Sequence, residues 1–136
     1  MTTTDLSKYN KCIVRHTSIK ITPEEKVRQL LLGKMIGELG FPKGLLSVER
    51  KVGTRRYDVV CHTPDGTPLL LVECKATSLH DEAMQQAQGY NSELKAPFIC
   101  LVCETAIKTF WQEKKGLVAV PFLPTYKELY DVFKRL

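Results

Sequence analysis

The sequence predicts an α/β domain, with helices layered on a mixed sheet. Three observations carry that expectation. An apolar stripe at helical spacing begins near residue 22, and three strand-like runs follow between residues 45 and 74. A second helical pattern then leads into "APFICLVCE" (residues 96–104), a nearly continuous apolar run typical of a strand covered on both faces.

Residues 1–22 are polar, with one short strand expected at "CIVRH" (12–16). Thr22 suits the N-cap of a helix, Pro23 its first turn, and Glu24 and Glu25 its positive end. Val27, Leu30, Leu31 and Met35, with Leu32, Ile36 and Leu39, make a broad apolar stripe. Gly40 ends this helix and Pro42 confirms the stop. "LLSVERKV" (45–52) reads as a strand with a polar side, followed by a turn at Gly53. "RRYDVVCHTPDGTPLLLVECKA" (55–76) reads as a hairpin around "PDGT". "LHDEAMQQAQGYNSELK" (79–95) is a second helix, with Ala83, Ala87 and Tyr90 on one side. After the apolar run come weaker strands at "IKTFWQE" (107–113) and "LVAVPF" (117–122). "TYKELYDVFKRL" (125–136) closes the chain as an amphipathic helix through Leu129, Val132, Phe133 and Leu136. With no repeat, low-complexity tract or linker, residues 1–136 are expected to form a single domain.

Hydrophobic residues at 43% and charged residues at 26% indicate a globular chain rather than a disordered one. No apolar run approaches the ~20 residues of a membrane span, and "MTTTDLSKYNKC" lacks the layout of a signal peptide. A cytoplasmic location is therefore expected. Four of the five cysteines (Cys12, Cys61, Cys74, Cys100 and Cys103) lie in strand-like runs, where cysteine behaves as a small buried hydrophobe. "CLVC" has CxxC spacing but no second CxxC or CxxH to complete a zinc site. His16, His62 and His80 are not paired with cysteines or carboxylates at metal spacing. The net charge of +5 is compatible with a polyanionic partner, and Arg50, Lys51, Arg55 and Arg56 form the densest basic cluster.

The hairpin holds the unusual feature, because Asp58, Glu73 and Lys75 interrupt its strands with charge. Glu73 and Lys75 are two apart on a strand and leave the same face, while Cys74, Val72 and Leu70 point to the other. A two-residue turn centred on Asp65 and Gly66 sets Asp58 opposite Glu73, with β-carbons ~5 Å apart. A three-residue loop with Gly66 as a bulge sets Asp58 against Val72 instead. Two adjacent carboxylates repel unless a cation sits between them, and hard Mg2+ suits oxygen ligands. A solvated three-charge network on a polar face is the competing reading.

"YD" at 57–58 and "ECK" at 73–75, with a glutamate on the preceding helix, resemble the PD-(D/E)xK nuclease signature. "QAQGY" at 86–90 is similar to the Q-x-x-x-Y of the RecB-like branch, with Gln86 and Tyr90 one helical turn apart. In order, "ITPEEKVRQLLL", "GFP", "LLSVE", "RYDVV", "DGTPLLLVECKA" and "QAQGYN" resemble the N-terminal nuclease domain of type I restriction enzyme R subunits, from Ile21 to Val102. Tyr57 replaces the signature's proline, and "CETAIKT" lacks the glycine-bearing turn that family members often have.

The resemblance implies a restriction-endonuclease-like mixed sheet flanked by helices, and a DNA-cleaving activity. It implies Mg2+, with Mn2+ able to substitute, held by Asp58, Glu73, the backbone carbonyl of Cys74 and Glu25. The alignment favours Glu25 over Glu24. Lys75 would orient or help deprotonate the attacking water, and Gln86 and Tyr90 would hydrogen-bond a phosphate or Lys75. Arg50, Lys51, Arg55 and Arg56 would meet the nucleic-acid backbone, giving affinity rather than sequence reading. No G-x-x-x-x-G-K-[ST] occurs, so this chain carries no ATP motor of that type. A second copy or a partner protein would then supply specificity. A non-catalytic module that binds DNA or a partner protein shares all these residues and stands as the alternative.

Overall fold

The structure is a computed structural model, and it describes residues 9–11, 14, 18–20, 22–52, 55–75, 79 and 81–136. Strands β1 (Tyr9–Lys11) and β2 (Ser18–Lys20) pair antiparallel as a small separate ribbon. Of the strand expected at 12–16 only Val14 is described, and it lies in a turn between β1 and β2. The other four residues of that segment, His16 and Cys12 among them, lie outside the described residues.

Helix α1 spans Pro23–Gly37, and the Thr22 side chain accepts from the Glu25 N–H at 3.1 Å as its N-cap. Beyond its end, Gly40 adopts a φ of 71°, where glycine carries no Cβ penalty. A short 3-10 turn (Lys43–Leu45) then leads into β3 (Leu46–Val52), β4 (Arg55–His62) and β5 (Pro68–Cys74). Helix α2 (Asp81–Leu94) carries the chain to β6 (Phe98–Val102). Strands β7 (Ile107–Glu113) and β8 (Gly116–Val120) and helix α3 (Tyr126–Arg135) complete the fold.

Strands β3 to β8 form one six-stranded sheet in sequence order. Every neighbouring pair is antiparallel except β5 and β6, which run parallel because α2 crosses between them. The sheet is therefore mixed and flanked by helices, as the sequence predicts.

On one face, Leu31, Leu32 and Met35 of α1 and Leu129 of α3 pack on Val59, Leu70, Val72, Phe98 and Cys100. Leu32 is fully buried, and burying a side chain of that size contributes about 2 kcal/mol. The Tyr126 N–H donates to the Leu39 carbonyl at 3.0 Å and fastens α3 to the end of α1. On the other face, Ala83 and Ala87 of α2 pack on Ile99, Leu101 and Phe110. No helix among the described residues is long and apolar enough to cross a membrane.

Two positions on α1 depart from a simple apolar stripe. Leu30, read as part of the apolar stripe, is 70% exposed, whereas Arg28 is only 4% exposed. Leu30 lies on the outward row with Lys26 and Lys34, one turn away on either side. Arg28 turns inward because three carboxylates receive it there.

Candidate functional site

The hairpin register combines the two alternatives open to the sequence. The loop takes the bulged form: Gly66 has a φ of 88°, its N–H donates to the Thr63 carbonyl at 2.9 Å, and the Thr63 N–H donates to the Thr67 carbonyl at 2.8 Å. His62 accordingly pairs with Pro68. One step further Cys61 pairs with Leu70, so Leu69 is an extra residue on β5. Consecutive Leu69 and Leu70 both enter the same core, which a regular strand would forbid. From there Val60 pairs with Leu71 and Val59 with Val72, and the same register brings Asp58 opposite Glu73. The bulge at Leu69 thus undoes the shift made by the loop.

The two carboxyl groups stand side by side, close enough for Asp58 to oppose the ionisation of Glu73. Asp58 Oδ2 accepts the Cys74 N–H at 2.8 Å, which sets that peptide beside both acids. Glu73 lies on a strand with neighbours on both sides and is 5% exposed. Burial first, and the adjacent Asp58 second, push its carboxyl up to about 8, with Lys75 acting in the opposite direction. Glu73 Oε1 is buried and makes no hydrogen bond among the described residues.

Glu25 joins this pair through a residue that sequence reasoning missed. Arg28 Nη1 donates to Glu25 Oε2 at 2.5 Å and to Glu49 Oε1 at 2.9 Å, and Nη2 donates to Asp58 Oδ1 at 2.8 Å. Burial opposes the guanidinium charge, but Asp58, Glu25 and Glu49 more than offset it and raise the pKa further. The Thr22 cap fixes the Glu25 backbone, and Gln29 Nε2 donates to Glu25 Oε1 at 2.9 Å. Glu24 is exposed, so Glu25 is the helix residue that faces the cluster.

Glu49 was also missed. On β3 it sits between Val48, paired with Val59, and Arg50, paired with Tyr57, and its φ is 51°. That backbone costs a non-glycine residue about 1–2 kcal/mol and persists where surrounding contacts over-determine it. The only signal in the sequence was a charged residue inside a strand.

Lys75 is half-buried, follows β5, and its Nζ donates to Gln86 Oε1 at 2.8 Å. One turn further along α2, Tyr90 packs edge-on against Tyr57, with ring centroids 6.4 Å apart. The fully buried Tyr57 donates its hydroxyl to the Tyr90 carbonyl at 2.7 Å. Tyr57 therefore anchors α2 with Gln86 facing Lys75.

At the rim, Arg56 Nη1 is 3.9 Å from Glu49 Oε2, and its side chain is largely exposed. Arg50, Lys51 and Arg55 belong to the same β3–β4 ladder, but their side chains lie outside the described residues, as does His80. His62 is buried at the Leu45 carbonyl, 3.4 Å from its Nδ1. Burial holds the Cys61 and Cys100 thiols up at about 12, the reverse of an activated thiolate. Cys103 lies against Thr105, with Sγ 3.7 Å from the hydroxyl oxygen.

The donor set suits a hard divalent cation in part. Asp58 and Glu73 present carboxyl oxygens side by side, one of them orphaned, with the Cys74 peptide adjacent. Among the described residues no three His, Cys, Asp or Glu side chains form a ready-made cage. Mg2+ commonly keeps several waters and uses one or two carboxylates, so two acids are sufficient.

Residues 23–124 match the family described as type I restriction enzyme R protein N terminus (HSDR_N). Among solved structures, the chain resembles a fragment structure assigned to an HsdR subunit of a type I restriction enzyme from Vibrio vulnificus YJ016. The TM-score is 0.60 at 20% identity, covering 82% of this chain. This chain spans only 24% of the length of that structure, and at such identity the likeness establishes the fold alone. No curated protein matches the chain.

Proposed function

The chain belongs to the family of type I restriction enzyme R protein N termini, and on that footing we propose that it is a Mg2+-dependent nuclease hydrolysing DNA phosphodiester bonds. The juxtaposition of Asp58 with the buried Glu73 supports this reading most strongly, with the orphaned Oε1 of Glu73 and with Lys75 two residues along. Two acids forced together and away from water oppose each other unless a cation joins them. The order of Glu25, Asp58, Glu73, Lys75, Gln86 and Tyr90 follows the PD-(D/E)xK pattern.

Asp58, Glu73 and the Cys74 carbonyl would hold the ion, with Glu25 acting directly or through water; Mn2+ would substitute. When bound, the ion would draw charge from the attacked phosphate and make water a stronger nucleophile near neutral pH. Lys75, steadied by Gln86 at 2.8 Å, would orient that water and offset negative charge developing on the phosphate. Tyr57 and Tyr90 would keep α2 seated so that Gln86 stays in reach. Arg56, with Arg50, Lys51 and Arg55, would contact nucleic-acid phosphates and make binding salt-dependent. Sequence recognition would come from a second copy or from other restriction–modification subunits.

The test is incubation with single- and double-stranded DNA and Mg2+ or Mn2+, beside an Asp58→Ala chain. Cleavage should fall by at least about a hundredfold in the variant and vanish in chelator. Cleavage that survives either change overturns the reading. One observation favours a second reading, a non-catalytic module that binds DNA or a partner protein: Arg28 already pairs with Glu25 and Asp58. Salt-sensitive DNA binding without turnover under any metal would select it.

A further inference from the structure

Four carboxyl groups converge here from three elements: Glu25 from α1, Glu49 from β3, and Asp58 and Glu73 from the β4–β5 hairpin. Arg28 touches three of them, and its side chain is 5% exposed. Asp58 is shared, one oxygen taking Arg28 and the other the Cys74 N–H. Two of the buried side-chain atoms that make no hydrogen bond among the described residues, Arg28 Nε and Glu73 Oε1, lie in this cluster. A divalent ion that used Asp58 would therefore enter beside a fixed, buried positive charge.

We propose that Arg28 is the resident counter-cation of the site: it keeps Glu25, Glu49 and Asp58 assembled without metal and competes with a divalent ion for Asp58, setting the metal affinity. Three charge-assisted hydrogen bonds from a planar guanidinium fix the acids in position. The same charge repels an incoming cation, and that repulsion is strong where water is excluded. Arg28 is thus a positioning residue that makes the site weak for metal and stable without it. The inference rests on the metal-binding reading given above.

Calorimetric titration of the full chain with Mn2+ alone tests it without any cleavage assay. Arg28→Gln should bind Mn2+ about tenfold more tightly than the unsubstituted chain, and Arg28→Lys, which keeps the charge, should stay close to it. Glu49→Gln should bind more weakly, because it removes negative charge and leaves Arg28 more fully to Asp58. If Arg28 were only a scaffold, both Arg28→Gln and Glu49→Gln would loosen the cluster and weaken binding, so the opposite signs are diagnostic. An Arg28→Gln chain that unfolds alone but folds when Mn2+ is added supports the proposal equally. Unchanged or weaker binding in that variant, a chain that stays unfolded in Mn2+, or unchanged binding in Glu49→Gln overturns it. If the unsubstituted chain and every variant fail to bind Mn2+, the metal reading itself falls and this inference with it.

Discussion

The β4–β5 hairpin carries a carboxyl group at its closed end and another at its open end, and the fold treats them in opposite ways. Asp65, exposed at the loop, accepts from the Thr63 hydroxyl and from the Thr67 N–H, the latter at 3.2 Å. Those donors, the Thr63 hydroxyl above all, hold it below the usual carboxylate range. Glu73 has the reverse surroundings: burial and a neighbouring acid push it up to about 8. The loop carboxylate is satisfied by residues within two positions of it, and it serves the turn. The other is left short of partners by the tertiary structure, which is the condition for binding something else.

Replacing Glu73 should produce the largest change. A carboxyl raised from 4.5 to about 8 keeps its proton in the folded chain over a range where the unfolded chain has lost it. Its favourable contribution is present in full below about pH 4.5 and disappears as the pH rises through about 8. The metal-free protein should therefore lose thermal stability across that window. Glu73→Gln, a neutral isostere, should remove most of the dependence and be more stable than the original by about 5 °C or more at pH 8. Parallel pH–melting curves for the two chains would show the opposite result at once.

A smaller effect is expected at the closed end. Nothing lies within 4 Å of a Cβ built on Gly66, so Gly66→Ala meets only the strain of its φ of 88°. It should lower stability by about 1 kcal/mol, measured by urea unfolding, and leave the Mn2+ titration unchanged. A variant that also altered the titration would show that the loop controls the register more tightly than Leu69 does.

The smallest change belongs to Asp65→Asn. Depressed carboxylates contribute stability that disappears as the pH falls, the opposite sign to Glu73. The substitution should shift melting by about 2 °C or less, and only above the acid range. A change in Mn2+ binding would break the separation between the two ends.

Local chemistry wrote much of this molecule plainly. Thr22 and Pro23 start α1, and that start fixes Glu25 rather than Glu24 on the inward side, through the cap to the Glu25 N–H. Strand β7 spans the predicted 107–113, and the apolar run at 96–104 became β6 beside the parallel partner β5. The resemblance to the Q-x-x-x-Y pattern also singled out Gln86, and its side chain does meet Lys75. Leu30 and Arg28 could not be sorted in this way, because periodicity describes the width of a stripe but not what the neighbouring element offers it.

By itself, then, the sequence determined the order of elements from α1 onward and the acidic and basic residue types that gather at the candidate site. Those follow from contacts within a few residues, where capping, alternation and glycine conformations act. The pairing of Asp58 with Glu73 was decided by one extra residue, Leu69, which the core takes up beside Leu70 just after the loop. Arg28 meets Glu49 across 21 positions and Asp58 across 30. Only the packed sheet and helix bring such groups together, since a buried guanidinium is stable where carboxylates already surround it and nowhere else.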